Sequence, residues 1–169
     1  MGTATLVFNV PHTTVPAQFS EIYQRHADTV YRAALRVTGS PADAEDVLQT
    51  VFLRLLNRGG DLAETARAPE AYFRRAAANA GIDVIRRRAS RAERAVDVEL
   101  SAPAAPPLLK ERLRRAIAQL PPKDAELFTL RYIEGVSNSE LAEMLGMERV
   151  TVGTRLHRIR RMLQESLGQ

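Results

Sequence analysis

Apolar residues recur along this chain at helical spacing, and the places where the recurrence fails divide it. In residues 19–37 the positions Ile22, Val30, Ala33, Ala34 and Val37 predict an amphipathic helix, which Gly39-Ser40-Pro41 ends. Ser40 suits an N-cap and Pro41 the first helical position, while Asp43, Glu45 and Asp46 place acids where a helix dipole favours them. A second helix therefore runs to about Asn57, with Val47, Leu48, Val51, Phe52 and Leu55 as its buried arc. Gly59-Gly60 opens a polar loop, after which Pro69 starts a third helix. This helix turns Phe73, Ala77, Ala80 and Val84 inward, carries Asn79, Asp83, Arg86 and Arg87 along an exposed edge, and ends in an arginine run.

Periodicity lapses over residues 92–107, where Ser101, Pro103, Pro106 and Pro107 give the composition of an extended connector. At up to about 3.5 Å per residue such a segment reaches roughly 50 Å, enough to place two modules on distant parts of one large partner. Beyond it, residues 108–120 form a strongly periodic helix that Pro121-Pro122 stops, and three further helical segments follow. The expected fold class is all-α, with two small helical domains joined by a flexible linker and a helix-turn-helix in the second. The expected boundaries are an extension over 1–16, a first domain over 17–91, the linker over 92–107 and a second domain over 108–169.

The helix-turn-helix is read from a short capped helix at 137–145, a tight turn at Gly146-Met147-Glu148 and a longer helix from Arg149. Val152, Leu156, Ile159 and Leu163 share one face of that longer helix, and Thr151, Thr154, Arg158 and Arg161 share the other. Residues 149–161 hold five arginines and no acid, so attraction to phosphate is uncompensated there. A second cationic cluster, Arg86, Arg87, Arg88, Arg91 and Arg94 against Glu93 alone, is denser than a solubilising surface needs. Asp83 and Arg87 stand four apart, a spacing that also allows an ordinary intrahelical pair.

Composition narrows the picture. Of 169 residues 45% are hydrophobic but only 5% aromatic, with no Trp, so the core comes from Leu, Val, Ile and Ala, which favours helical bundles over a β-sandwich. The net charge is only +4, so the placement of the arginines matters more than their excess. Without Cys there is neither a disulfide nor a thiolate metal site, and His12, His26 and His157 are far apart, so no cofactor, metal or catalytic residue is expected. Residues 1–18 lack a basic n-region and are interrupted by Asn9, Pro11 and His12, and no apolar run approaches the ~18 residues of a membrane span. A cytoplasmic protein is expected.

The predicted second helix has a different character. From Thr38 to Leu53 there are three acids and no Lys or Arg, so this segment repels DNA. Opposite its buried arc, Asp46, Gln49 and Thr50 surround Leu53, an apolar side chain among polar ones, which suits a protein contact and equally a stray exposed Leu on a solvated helix.

Over about residues 17–167 this order of parts resembles the extracytoplasmic-function sigma factors, the minimal branch of the sigma-70 family. The run from Asp43 to Leu53 is similar to the family's polymerase-binding segment, which implies Asp43, Glu45, Asp46, Gln49, Thr50 and Leu53 as contacts to the clamp coiled coil of the largest polymerase subunit. The run from Ala71 to Asn79, with Asp83 and Arg86-Arg87-Arg88, is similar to the segment that opens and reads the −10 element, implying Asn79, Asp83, Arg86, Arg87, Arg88 and Arg91 as contacts. Residues 57–68 match the position of the family's base-capturing loop. Leu120-Pro121, Glu134-Gly135-Val136-Ser137, Glu140-Leu141-Ala142, Leu145-Gly146-Met147 and the run from Val150 to Leu156 look like its −35-binding domain, implying Arg149, Thr151, Gly153, Thr154, Arg155 and Arg158 as contacts. Val150 replaces the family's usual Gly and Gly153 its usual Lys.

The resemblance implies core RNA polymerase as partner, at the clamp and at the flap of the second-largest subunit, together with promoter DNA, and it leaves room for an anti-sigma factor. The free chain would be a monomer, with its linker threading toward the polymerase active cleft. With Tyr72 and Phe73 the chief aromatics near the −10 segment, stacking on separated bases is expected to be limited. A stand-alone helix-turn-helix regulator would bind operators as a dimer without polymerase. An enzyme acting on nucleic acid would need convergent carboxylates or a metal cluster, neither of which is recognisable.

Overall fold

A computed structural model of the protein describes residues 17–58, 68–96 and 108–168. The expected amino-terminal extension, most of the base-capturing loop and the connector from residue 97 lie outside these residues. Seven α-helices are described: α1 (Ala17–Thr38), α2 (Pro41–Asn57), α3 (Pro69–Val96), α4 (Leu109–Gln119), α5 (Pro122–Phe128), α6 (Asn138–Leu145) and α7 (Arg149–Leu167). A π-helical turn, Thr129–Ile133, continues α5, and no strand occurs among the described residues. The all-α expectation is met. The arginine run does not end α3, which continues to Val96 through the first residues assigned to the connector.

Local chemistry fixes the helix ends. The Ser40 hydroxyl accepts from the Asp43 amide, with Pro41 in the first turn of α2. Ser137 and Glu140 form a capping box on α6: Ser137 Oγ accepts from the Glu140 amide at 3.2 Å, and Glu140 Oε2 accepts from the Ser137 amide at 2.9 Å. Ser137, through its side chain and then its amide, holds the Glu140 carboxyl below its ordinary range. The other end of α6 needs a left-handed residue, which Gly146 supplies at φ 61, and the Met147 amide then donates to Ala142 O at 2.9 Å.

Two apolar clusters result. In the first, Val30, Ala33 and Ala34 of α1 meet Val47, Val51, Phe52 and Leu55 of α2 and Phe73, Ala77, Ala80 and Val84 of α3. The buried arc of α2 and the inward face of α3 are as the periodicity predicts, except that Leu48 is only partly buried. The second cluster joins α4 to α7 through Ile117, Leu127, Leu130, Leu141, Val152, Leu156, Ile159 and Leu163. It also takes in Val37 of α1 and Ala78, Ile82 and Ile85 of α3, so α3 is buried on two sides. Small residues let the helices come close. A Cβ placed on Gly81 would stand 2.9 Å from Val37 Cγ1.

Arginines complete the contact between the amino- and carboxy-terminal halves. Arg86 of α3 donates to Ala118 O at 3.3 Å and to Leu120 O at 2.8 Å, at the end of α4. Arg114 of α4 donates in return to Val37 O at the end of α1, at 3.0 Å. Both satisfy carbonyls that a helix terminus leaves without an intrahelical partner.

Candidate functional site

The helix-turn-helix is formed by α6, the turn at Gly146 and α7. Its packing face is the predicted one, with Val152, Leu156, Ile159 and Leu163 all buried. Arg149, Thr151, Thr154, Arg158 and Arg161 are exposed on the other side. Gly153 lies there with nothing within 4 Å of where its Cβ would be. The Thr154 hydroxyl donates to Val150 O one turn back, at 3.0 Å. Arg155 differs from the expectation of an open contact. It is half-buried and donates to Asp124 Oδ1 at 2.9 Å, while Arg158 donates to Asp124 Oδ2 at 3.1 Å. Of five arginines read as uncompensated, two therefore share a carboxylate of α5.

The candidate −10 residues on α3 divide into two sets. Asp83, Arg87 and Arg91 are exposed, and the Asp83–Arg87 pairing that their spacing allows is absent from the ion pairs of the described residues. Asn79 and Arg86 are not on an open edge, contrary to expectation, because that side of α3 packs against the carboxy-terminal helices. Asn79 Nδ2 donates to Glu126 Oε1 at 2.8 Å, and Arg75 Nε donates to the same oxygen at 2.6 Å. Arg86 is the residue that caps α4, and Arg88 lies against Asp43 and donates to Thr38 O at 3.3 Å. Phe73 cannot stack on bases: it is buried between Phe52, 5.3 Å away, and His26, 4.7 Å away. Tyr72, half-buried, meets the edge of Phe73. Burial, and secondarily Arg25, holds the His26 imidazole below its ordinary pKa of 6.5, against the opposing pull of Glu70.

Sequence reasoning missed the acids that organise this contact. Glu134 has a fully buried carboxylate that accepts from Arg36 Nε at 2.9 Å and Nη2 at 2.6 Å, with Arg74 Nε at 3.7 Å from the same group. This bidentate bond raises the Arg36 pKa above its already high ordinary value, so the guanidinium stays charged. Arg36 and Glu134 are 98 residues apart, and no local spacing signals such a pair. The one available sign was Glu134 itself, an acid followed by Gly135 before the cap of α6.

On α2 the residues expected to meet polymerase are mostly exposed. Leu53 is 56% exposed, and Glu45, Asp46 and Gln49 are exposed while Thr50 is partly so. Asp43 departs from the expectation of a free contact, since Arg88 lies against its carboxylate.

With this geometry in place, comparison with known proteins gives a consistent result. Residues 22–91 match the family model described as Sigma-70 region 2, and residues 110–163 match Sigma-70, region 4. The chain is 31% identical over 178 residues to the ECF RNA polymerase sigma factor SigE of Mycolicibacterium smegmatis, covering 99% of this chain and 68% of that one. It is 34% identical over 157 residues to the ECF RNA polymerase sigma factor SigL of Mycobacterium tuberculosis, with 88% of each covered. Among solved structures, CnrH in complex with the cytosolic domain of CnrY aligns with a TM-score of 0.54 at 25% identity, covering 89% of this chain and 87% of that one. The chain belongs to the sigma-70 family, as an RNA polymerase sigma factor of the extracytoplasmic-function kind that directs promoter-specific initiation. Among the described residues no helix is long and apolar enough to cross a membrane.

Proposed function

We propose that the chain acts as a non-enzymatic, cytoplasmic subunit in two stages: it docks on core polymerase through α2, then divides promoter recognition between α7 and α3. The observation that carries this reading is Leu53, 56% exposed beside Asp46 and Gln49. A solvated helix does not require an apolar side chain there, and a DNA-binding helix would not be acidic. The clamp coiled coil is the proposed partner of this face, with Glu45, Thr50 and Asp43 at its margin, and the polymerase flap is proposed for the carboxy-terminal half. Nucleotidyl transfer remains with polymerase.

On promoter DNA, α7 enters the −35 major groove with Arg149, Thr151 and Thr154 near base edges and Arg158 on the backbone. Arg87, Arg91 and Asp83 of α3 face the −10 strand. Asn79 and Arg86 reach DNA only when α3 exchanges Glu126 and the end of α4 for nucleic acid. Preferential binding of the separated strand then offsets the cost of melting. An anti-sigma factor would compete for these surfaces.

The test is an Asp46→Arg, Leu53→Glu double variant mixed with core polymerase. Loss of co-purification and of promoter-specific transcription at an unchanged melting temperature is expected. Normal co-purification refutes the reading of α2, and sequence-specific operator binding by a free dimer would favour a stand-alone regulator.

A further inference from the structure

Asp124 sits in the first turn of α5, a position that neither α6 nor α7 contributes to the helix-turn-helix. Its side chain is only 4% exposed, and a carboxylate so buried persists in a fold only when paired. Here each oxygen takes one arginine: Arg155 on Oδ1 at 2.9 Å and Arg158 on Oδ2 at 3.1 Å. The two arginines are three residues apart on α7 and therefore lie on neighbouring turns of one side. Their guanidiniums are held side by side yet not equally covered, since the Arg155 side chain is 29% exposed and that of Arg158 is 61% exposed. The remaining cations of this surface are placed differently. Arg149 and Arg160 are exposed, and the ion pair of Arg161 is with Glu165, 3.9 Å away, both side chains being largely in solvent.

We propose that Asp124 is a positioning residue for duplex recognition, setting how selectively α7 distinguishes its promoter element from other DNA. The proposal rests on the reading that α7 enters the major groove. Attraction to DNA of any sequence comes from cations that neutralise phosphates and release counterions, and its strength follows the number of phosphates contacted. A long arginine side chain free to swing finds a phosphate on any duplex. Held by a buried carboxylate, Arg155 and Arg158 are withdrawn from that mobile set. Arg155 ties α7 to α5, and Arg158 presents the outward edge of its guanidinium at a fixed place, its side chain being ordered on folding. A fixed donor rewards a backbone that runs in one path and gives little to one that does not.

Asp124→Asn removes the charge at constant shape, and Asp124→Glu retains it. The wild-type full chain first selects its element from a pool of randomised DNA duplexes. Each variant is then titrated, over a range of salt, against the selected duplex and a random-sequence duplex. For Asp124→Asn, binding to the random duplex should tighten several-fold, with a salt slope steeper by about one to two, one for each arginine set free. The ratio of selected to random affinity should fall by roughly tenfold, and Asp124→Glu should keep it within about threefold of wild type. A merely structural carboxylate gives proportional losses on both duplexes with a lower melting temperature and an unchanged ratio, which overturns the proposal. So do an unchanged slope and an unchanged ratio.

Should Asp124→Asn fail to fold, Arg158→Gln carries the test, because that side chain is mostly in solvent. It is expected to flatten the salt slope on the selected duplex by about one and to leave the random duplex unchanged. Equal flattening on both shows a mobile cation and overturns the proposal. A wild-type chain that enriches no sequence refutes the groove reading of α7 and the proposal with it.

Discussion

Gly81 tests how closely α1 and α3 are packed. In the middle of a helix glycine costs up to about 1 kcal/mol relative to alanine, so Gly81→Ala considered alone stabilises α3. The structure predicts the opposite net sign. The new methyl carbon would lie 2.9 Å from Val37 Cγ1 and 3.1 Å from Val37 Cβ, with Thr38 Cγ2 at 3.7 Å. Carbon atoms at rest stay about 3.5–4.0 Å apart, so one partner must move by several tenths of an ångström. Val37 cannot swing aside: it is buried, and as a β-branched residue in a helix it has essentially one side-chain rotamer. The whole of α1 has to shift, and overpacking of that kind costs about 1–3 kcal/mol. After the full helix-propensity gain the net loss is up to about 2 kcal/mol, a fall in Tm of up to roughly 8 °C for a chain of this length. Thermal melts of Gly81→Ala, Val37→Ala and the double variant separate the contributions. Val37→Ala removes the atom met at the shortest distance, so the cycle should show a favourable coupling of about 1 kcal/mol or more. A higher Tm for Gly81→Ala, or coupling near zero, refutes the close approach of these helices.

Three further outcomes are expected. Arg87→Ala should reduce permanganate reactivity at the promoter bubble without changing Tm, because Arg87 is exposed; Arg86→Ala should also lower stability by about 1–2 kcal/mol by uncapping the end of α4. Equal Tm values for the two variants would contradict this. The depressed His26 pKa makes the unfolded chain bind a proton that the folded chain refuses, so stability is full above pH 6.5 and falls as pH drops below it. Melts at pH 7.5 and 5.5 should show this fall, and His26→Phe should show less of it; an identical pH dependence assigns the effect elsewhere. Gly153→Ala should raise Tm by about 2–4 °C, since nothing lies within 4 Å of the added carbon. Gly153→Lys should nevertheless weaken binding to the −35 duplex, because the bare backbone lets α7 lie close to the groove, and tighter binding across a salt titration refutes that.

The buried faces of α2 and α7 were legible in the sequence. One face of α2 and one of α7 are apolar against polar surroundings, so periodicity alone separates their buried residues from Leu53, Thr151 and Arg158. The second buried side of α3 was missed for the converse reason. A helix covered on two sides loses the contrast that periodicity measures, and Ala78, Ile82 and Ile85 fall outside the single inward face that periodicity marks. Arg86 and Arg87 are adjacent in an arginine run, yet one caps a helix and the other faces solvent. The acceptors of Arg86 are carbonyls 32 and 34 residues away, and a carbonyl belongs to every residue, so no side-chain type marks the partner. Asp124 was hidden by sequence distance, 31 and 34 residues from the arginines it holds.

The reciprocal capping by Arg86 and Arg114 also bears on how this chain can vary. Their acceptors, Ala118 O, Leu120 O and Val37 O, are main-chain atoms, so substitution at those three positions leaves the acceptor oxygen in place. These three hydrogen bonds thus depend on the two donor positions alone, and only there does a single codon change remove them. Residues at the ends of α1 and α4 can drift, provided that they still pack, and the halves continue to meet in one register. Nor does an amide carbonyl titrate, so this part of the contact is indifferent to pH where a carboxylate partner would not be. Water can satisfy the same oxygens when the halves part, so separation strands no buried acceptor.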